Sequence, residues 1–73
     1  MVFELNVFEI RKRAGGIGKT QATFAKAIGV PLKTVQNWEQ GRRKPTGPAR
    51  SLLVVIQHQP SALADAMQAL SAT

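Results

Sequence analysis

Apolar residues along this chain recur in short blocks at helical spacing, with glycine or proline between one block and the next. The first block opens after Asn6. That asparagine can cap a helix, Glu9 stands where a capping box needs it, and Leu5 and Ile10 occupy the staple positions. Val7, Ile10 and Ala14 then form the inner side of a first helix. A strand over FELNVFEI fits the same short run of Val and Phe, so both readings stand. Ala14 to Gly18 is expected to be loop, because three glycines in four residues cost too much inside a helix.

Thr20 can cap a second helix whose buried side is Phe24, Ala25 and Ile28, and Gly29 stops it. Pro31 suits the first turn of a third helix, where its missing N–H is harmless, and that helix runs to about Gln40. The loop GRRKPTGP leads to Pro48, which opens a fourth helix. ARSLLVVIQH is apolar nearly all round and is expected to be the central core element. Pro60 breaks the chain again. A fifth helix carries Leu63, Met67 and Leu70 on one narrow stripe. The expected fold is all-α, a compact bundle of four to five short helices forming one domain over residues 1–73.

Charge sharpens this picture. The net charge is +6, and all ten Lys and Arg lie between Arg11 and Arg50, where Glu39 is the one acid. Ten cations less one acid leave that segment at +9, beside weakly acidic, apolar ends that hold Glu4, Glu9 and Asp65. Such a centre suits a polyanion, although a basic surface kept for solubility has the same composition. With no cysteine there is neither a disulfide nor a thiolate metal site. No apolar run approaches the ~20 residues of a membrane span. In MVFELNVFEIRKR the charges follow the apolar stretch, the reverse of a signal peptide. A soluble, cytoplasmic protein with no membrane partner is expected.

The third helix carries the chemistry. Lys33, Gln36, Asn37 and Gln40 share one helical face, while Val35 and Trp38 lie on the other. Amides and one cation, with no carboxylate among them, match the donors and acceptors on base edges in a DNA major groove. Gly41 then ends the helix, and Arg42, Arg43 and Lys44 follow where a phosphate backbone would pass.

The segment from Gln21 to Pro45 resembles the lambda-repressor-like, or XRE-type, helix-turn-helix family. The marks are Gln21, Phe24-Ala25, Gly29-Val30, Thr34-Val35, Trp38-Glu39, Gly41 and Pro45, in that order. The stretch TVQNWEQGRRKPTGPARSLL is similar to HigA-type antitoxins and related short operon regulators. The resemblance implies a helix-turn-helix core at about residues 20–41, with helix 31–40 entering the major groove N-terminal end first. Base contacts would come from Leu32, Lys33, Gln36 and Asn37: Lys33 to guanine, Gln36 or Asn37 to adenine, Leu32 to a thymine methyl. Leu32 also shares a side with Val35, so a plain core role stands beside that one. Phosphate contacts would come from Gln21, Lys19, Thr34, Arg42, Arg43 and Lys44. For Thr34, phosphate contact and closure of the turn both remain open. Lys12 and Lys26 are expected to be merely solvated. The resemblance makes Trp38 a structural wedge and pairs Glu39 with a first-helix arginine, Arg11 or Arg13. Against the family pattern, Gly15-Gly16-Ile17-Gly18 looks like an insertion of about three residues.

That insertion creates a decoy. GGIGKT ends like a phosphate-binding Walker loop, but the full pattern needs glycine where Arg13 stands, and a preceding strand. His58 has no companions for a metal, and no acid–base or nucleophile–base pair is evident. No enzyme activity, cofactor or metal is expected. Single-strand RNA recognition lacks its aromatic platforms. The expected function is a sequence-specific double-stranded DNA-binding regulator, a repressor acting as a homodimer. The alternative is an antitoxin that sequesters a toxin protein and autoregulates its operon. The dimer contact falls on Leu52 to Ile56 and the stripe Leu63, Met67, Leu70, unless the chain's own core uses both.

Overall fold

The computed structural model of the chain describes residues 5–71. Five α-helices follow one another: α1 (Val7–Arg13), α2 (Gln21–Ile28), α3 (Leu32–Glu39), α4 (Gly47–His58) and α5 (Ala62–Ser71), with a 3₁₀ turn at Gly15–Gly18 between the first two. The helical reading of the first block is the one the chain adopts. Asn6 Oδ1 accepts from the Glu9 N–H at 3.0 Å, Ile10 is buried and Leu5 packs against the core. Residues 3 and 4 of the alternative strand lie outside the described residues.

The capping chemistry of the next two helices follows the expected residues. Thr20 Oγ1 accepts from the Thr23 N–H at 3.0 Å, which satisfies one orphan donor at the start of α2. Gly29 ends α2 in the left-handed conformation at φ 78°. Its N–H reaches Lys26 O, and the N–H of Val30 reaches Ala25 O at 3.0 Å, the paired bonds of a Schellman ending. Helix α3 is one residue shorter at each end than expected. Pro31 has ψ 148°, so it caps the helix from outside while its carbonyl accepts the first bonds from Thr34 and Val35.

Val7, Ile10, Ala14, Phe24, Ala25, Val35, Leu53 and Ile56 make up the buried cluster, with Ile17, Ile28, Val30, Trp38, Leu52 and Leu63 packed around it. Phe24, Val35, Leu53 and Ile56 are fully enclosed. Each such side chain contributes on the order of 1.5–3 kcal/mol by leaving water. The radius of gyration of 11.8 Å is close to the ~11 Å expected for a chain of this length.

Two expectations need correction. Residues 15–18 form one 3₁₀ turn rather than open loop. A single turn is tolerable for glycine here because Ile17 packs into the core and Gly18 fits against the Arg11 carbonyl, where a Cβ would collide with it. Nor is α4 enclosed all round. Leu53 and Ile56 are buried and Leu52 and Val54 are half-buried, but Val55 is 50% exposed. A 12-residue helix in so small a bundle has neighbours on only part of its circumference.

Candidate nucleic-acid interface

Helix α3 is held by its apolar side. Val35 is buried and Trp38 is half-buried against the cluster, which turns the opposite side outward. Lys33 and Gln40 are exposed on that outer side, with Gln36 and Asn37 half-buried between them. Leu32 is 41% exposed, so it is not a core residue and stands at the open N-terminal end of the helix. Thr34 is half-buried in the first turn, where its N–H bonds Pro31 O.

The C-terminal end of α3 is fastened more tightly. Gly41 is left-handed at φ 76°, the Gly41 N–H reaches Trp38 O at 3.1 Å, and the Arg42 N–H reaches Asn37 O at 2.9 Å. The Arg43 N–H joins the same Asn37 carbonyl at 3.4 Å. This second Schellman ending ties the backbone of the basic run to the residue expected to read a base. Arg42, Arg43 and Lys44 are all exposed.

A polar knot lies underneath. Arg11 is only 8% exposed, and its guanidinium meets the Glu39 carboxylate side-on, with Nε to Oε2 at 2.7 Å and Nη2 to Oε1 at 3.2 Å. The Gln21 Nε2 donates to the same Oε1 at 3.1 Å. Arg11 Nη1 turns the other way, to Gly18 O at 3.0 Å and Lys19 O at 3.5 Å. One buried cation thus joins α1, the 3₁₀ turn and, through Glu39, the ends of α2 and α3. Bidentate geometry with every guanidinium nitrogen engaged is what allows such a pair to be buried. It also neutralises the one acid of the basic segment, so the carboxylate does not oppose a polyanion outside.

Between Arg11 and Arg13 the structure selects Arg11. A signal for this was present: Arg11 follows Val7 by four residues and precedes Ala14 by three, which places it on the buried side of α1, whereas Arg13 is off it. The amide of Gln21, expected at a phosphate, donates through Nε2 to the half-buried Glu39 carboxylate. Lys19 is exposed just ahead of α2. Lys19 and Gln21 are therefore joined through Arg11 and Glu39 to the C-terminal end of α3, while Leu32 and Lys33 lie a helix length away, ~10 Å. Sequence reasoning overlooked Phe8, which is 42% exposed with the Arg11 and Lys12 cations 5.3 and 5.1 Å from its ring centre. Lys12 and Lys26 are exposed, as expected. The Walker-like GGIGKT follows a helix, α1, and not a strand. Among the described residues no group of three His, Asp or Glu could hold a metal, and no helix is long and apolar enough to cross a membrane.

A helix-turn-helix family model matches residues 9–49, from within α1 to the start of α4. The chain is also similar to antitoxin HigA-2 of Vibrio cholerae, with 36% identity over 64 residues. That match covers 85% of this chain and 62% of the relative, so the chain spans less than two thirds of the relative's length. No solved structure matches significantly.

Proposed function

The chain belongs to the XRE-type helix-turn-helix family of DNA-binding regulators, and from that premise we propose that it represses transcription as a cytoplasmic homodimer that recognises a specific double-stranded sequence. The observation that carries this reading is the outer side of α3. Lys33, Gln36, Asn37 and Gln40 stand there without a carboxylate, and Leu32 is exposed at the leading end. In this reading Leu32, Lys33, Gln36 and Asn37 contact bases, while Lys19, Thr34, Arg42, Arg43 and Lys44 contact phosphates, together with Gln21 through the face its Glu39 bond leaves open. No catalytic step is part of it.

A helix of eight residues can read only a few base pairs. Two copies on a two-fold axis would read half-sites about 34 Å apart and multiply their specificities. The exposed apolar residues Val55, Met67 and Leu70 support a contact between copies along α4 and α5. Repeated selection from a randomised duplex pool at physiological salt tests the proposal: an enriched inverted repeat is expected, and enrichment of no sequence would contradict it. Sedimentation velocity with and without the selected duplex tests the dimer, which a constant monomer mass would exclude.

A second reading is favoured by the likeness to antitoxin HigA-2. Here the chain would bind a toxin protein and use its DNA contacts to control its own operon. Co-purification of a small ribonuclease-like partner expressed from the adjacent gene supports this reading, and a chain that purifies alone when co-expressed with that neighbour counts against it.

A further inference from the structure

The basic run leads to a hydroxyl. Between Glu39, the last residue of α3, and Gly47, the first of α4, the chain is not helical. Thr46 closes that segment, two residues after Lys44 and behind Arg42 and Arg43. It is exposed, with an extended backbone at φ −137° and ψ 165°. It holds the N-cap position of α4, where a threonine ordinarily accepts from the second or third helical N–H, but its side chain makes no such bond. Pro48, at the second position, has no N–H to offer.

Other hydroxyls lack this combination. Thr20 accepts from the Thr23 N–H and donates to Thr23 Oγ1 at 2.8 Å, and Thr34 is half-buried. Ser51 is exposed but sits on helical backbone, and the nearest cation ahead of Ser61 is Arg50. An enzyme that modifies a side chain must enclose the flanking chain, which an exposed, non-helical segment permits and a helix resists. Cations just ahead of the acceptor suit a cleft lined with carboxylates.

We propose that Thr46 is a phosphorylation site, and that a phosphate placed there beside the basic run releases the protein from DNA. This rests on the DNA-binding reading above and adds its regulation. In the transfer, Thr46 Oγ1 attacks the γ-phosphorus of a nucleoside triphosphate held by a serine/threonine kinase with an acidic substrate cleft. The bond from that phosphorus to the β,γ-bridging oxygen breaks, nucleoside diphosphate leaves, and the hydroxyl proton passes to the kinase's base. The product carries about −1.5 to −2 charge at pH 7, against the three cations of the run. Even fully extended, two to four residues span no more than ~7–14 Å, so Lys44 lies within the screening length of ~8 Å at physiological salt. The phosphate thus offsets half or more of the run's charge and repels the phosphates of a duplex.

The test uses the full chain, magnesium ATP and a recombinant arginine-directed serine/threonine kinase, with the modified residue located by tandem mass spectrometry. Modified and unmodified chains are then compared for binding to a labelled random-sequence duplex, by fluorescence anisotropy over a range of salt concentrations. The phosphoryl group is expected on Thr46. It should weaken binding about ten-fold or more and reduce the log–log salt slope by about 0.9 for each cation it occupies. Thr46→Val should bind DNA like the unaltered chain and be insensitive to kinase treatment. Circular dichroism melts should be the same for all three forms, and release that comes with unfolding would overturn the proposal. So would the absence of transfer to Thr46, or a Thr46-modified chain that binds as before; DNA binding would then still stand. If the unmodified chain shows no salt-dependent binding at all, the DNA-binding reading falls and the proposal with it.

Discussion

Helices α2 and α5 are both short, and both carry one apolar stripe, yet the stripes have different fates. On α2, Phe24 and Ala25 are buried and Ile28 is half-buried. On α5, Leu63 packs against the core, Met67 is 38% exposed and Leu70 is 74% exposed. The difference lies in what each stripe meets. Helix α2 faces α3 and the 3₁₀ turn and is fastened at both ends, by Thr20 and by Gly29. Helix α5 follows the break at Pro60 and packs on α4 alone among its stronger contacts. Among the described residues the apolar side of α2 is therefore covered within the chain, whereas the stripe of α5 is covered only at Leu63.

Three substitutions can break or sharpen that contrast. The largest effect is expected for Phe24→Ala, which leaves a cavity at the centre of the core and should cost about 3–5 kcal/mol by urea denaturation, enough to unfold much of so small a protein. Next comes Glu39→Ala, which strands the buried Arg11 cation. Arg11 keeps its carbonyl partners, so a loss of about 3 kcal/mol is expected, at the lower end for a broken buried pair. A loss under about 1 kcal/mol would mean that the polar knot is not what joins α1 to the ends of α2 and α3. The smallest effect is expected in α5. Leu70→Ser should change the stability of the isolated chain by no more than about 0.5 kcal/mol, while weakening self-association in sedimentation equilibrium. A loss of about 2 kcal/mol or more at dilute concentration would show that the stripe of α5 belongs to the chain's own core.

Local signals made much of this legible in advance. Asn6, Thr20, Gly29, Gly41 and Pro60 each act through backbone geometry or a single hydrogen bond, which neighbouring residues determine. The amide-rich side of α3 was legible for the same reason, since periodicity alone places Lys33, Gln36, Asn37 and Gln40 together. What escaped depends on residues far apart in the chain. The 3₁₀ turn forms because Gly18 meets the Arg11 carbonyl, and Gln21 turns inward because Glu39, 18 residues later, offers it an oxygen. Helix α4 misled for a related reason. Its composition is apolar on every side, but whether Val55 is covered depends on how many neighbours a small bundle can supply.

The central claim is that the outer side of α3 reads bases. It is tested most directly by measuring binding of the unaltered chain and of Asn37→Ala to every single-base variant of the selected duplex. The claim predicts that Asn37→Ala loses about 1–3 kcal/mol on the selected duplex and no longer discriminates at one base pair of each half-site, with discrimination elsewhere unchanged. An equal loss on every duplex, or none on any, would contradict it.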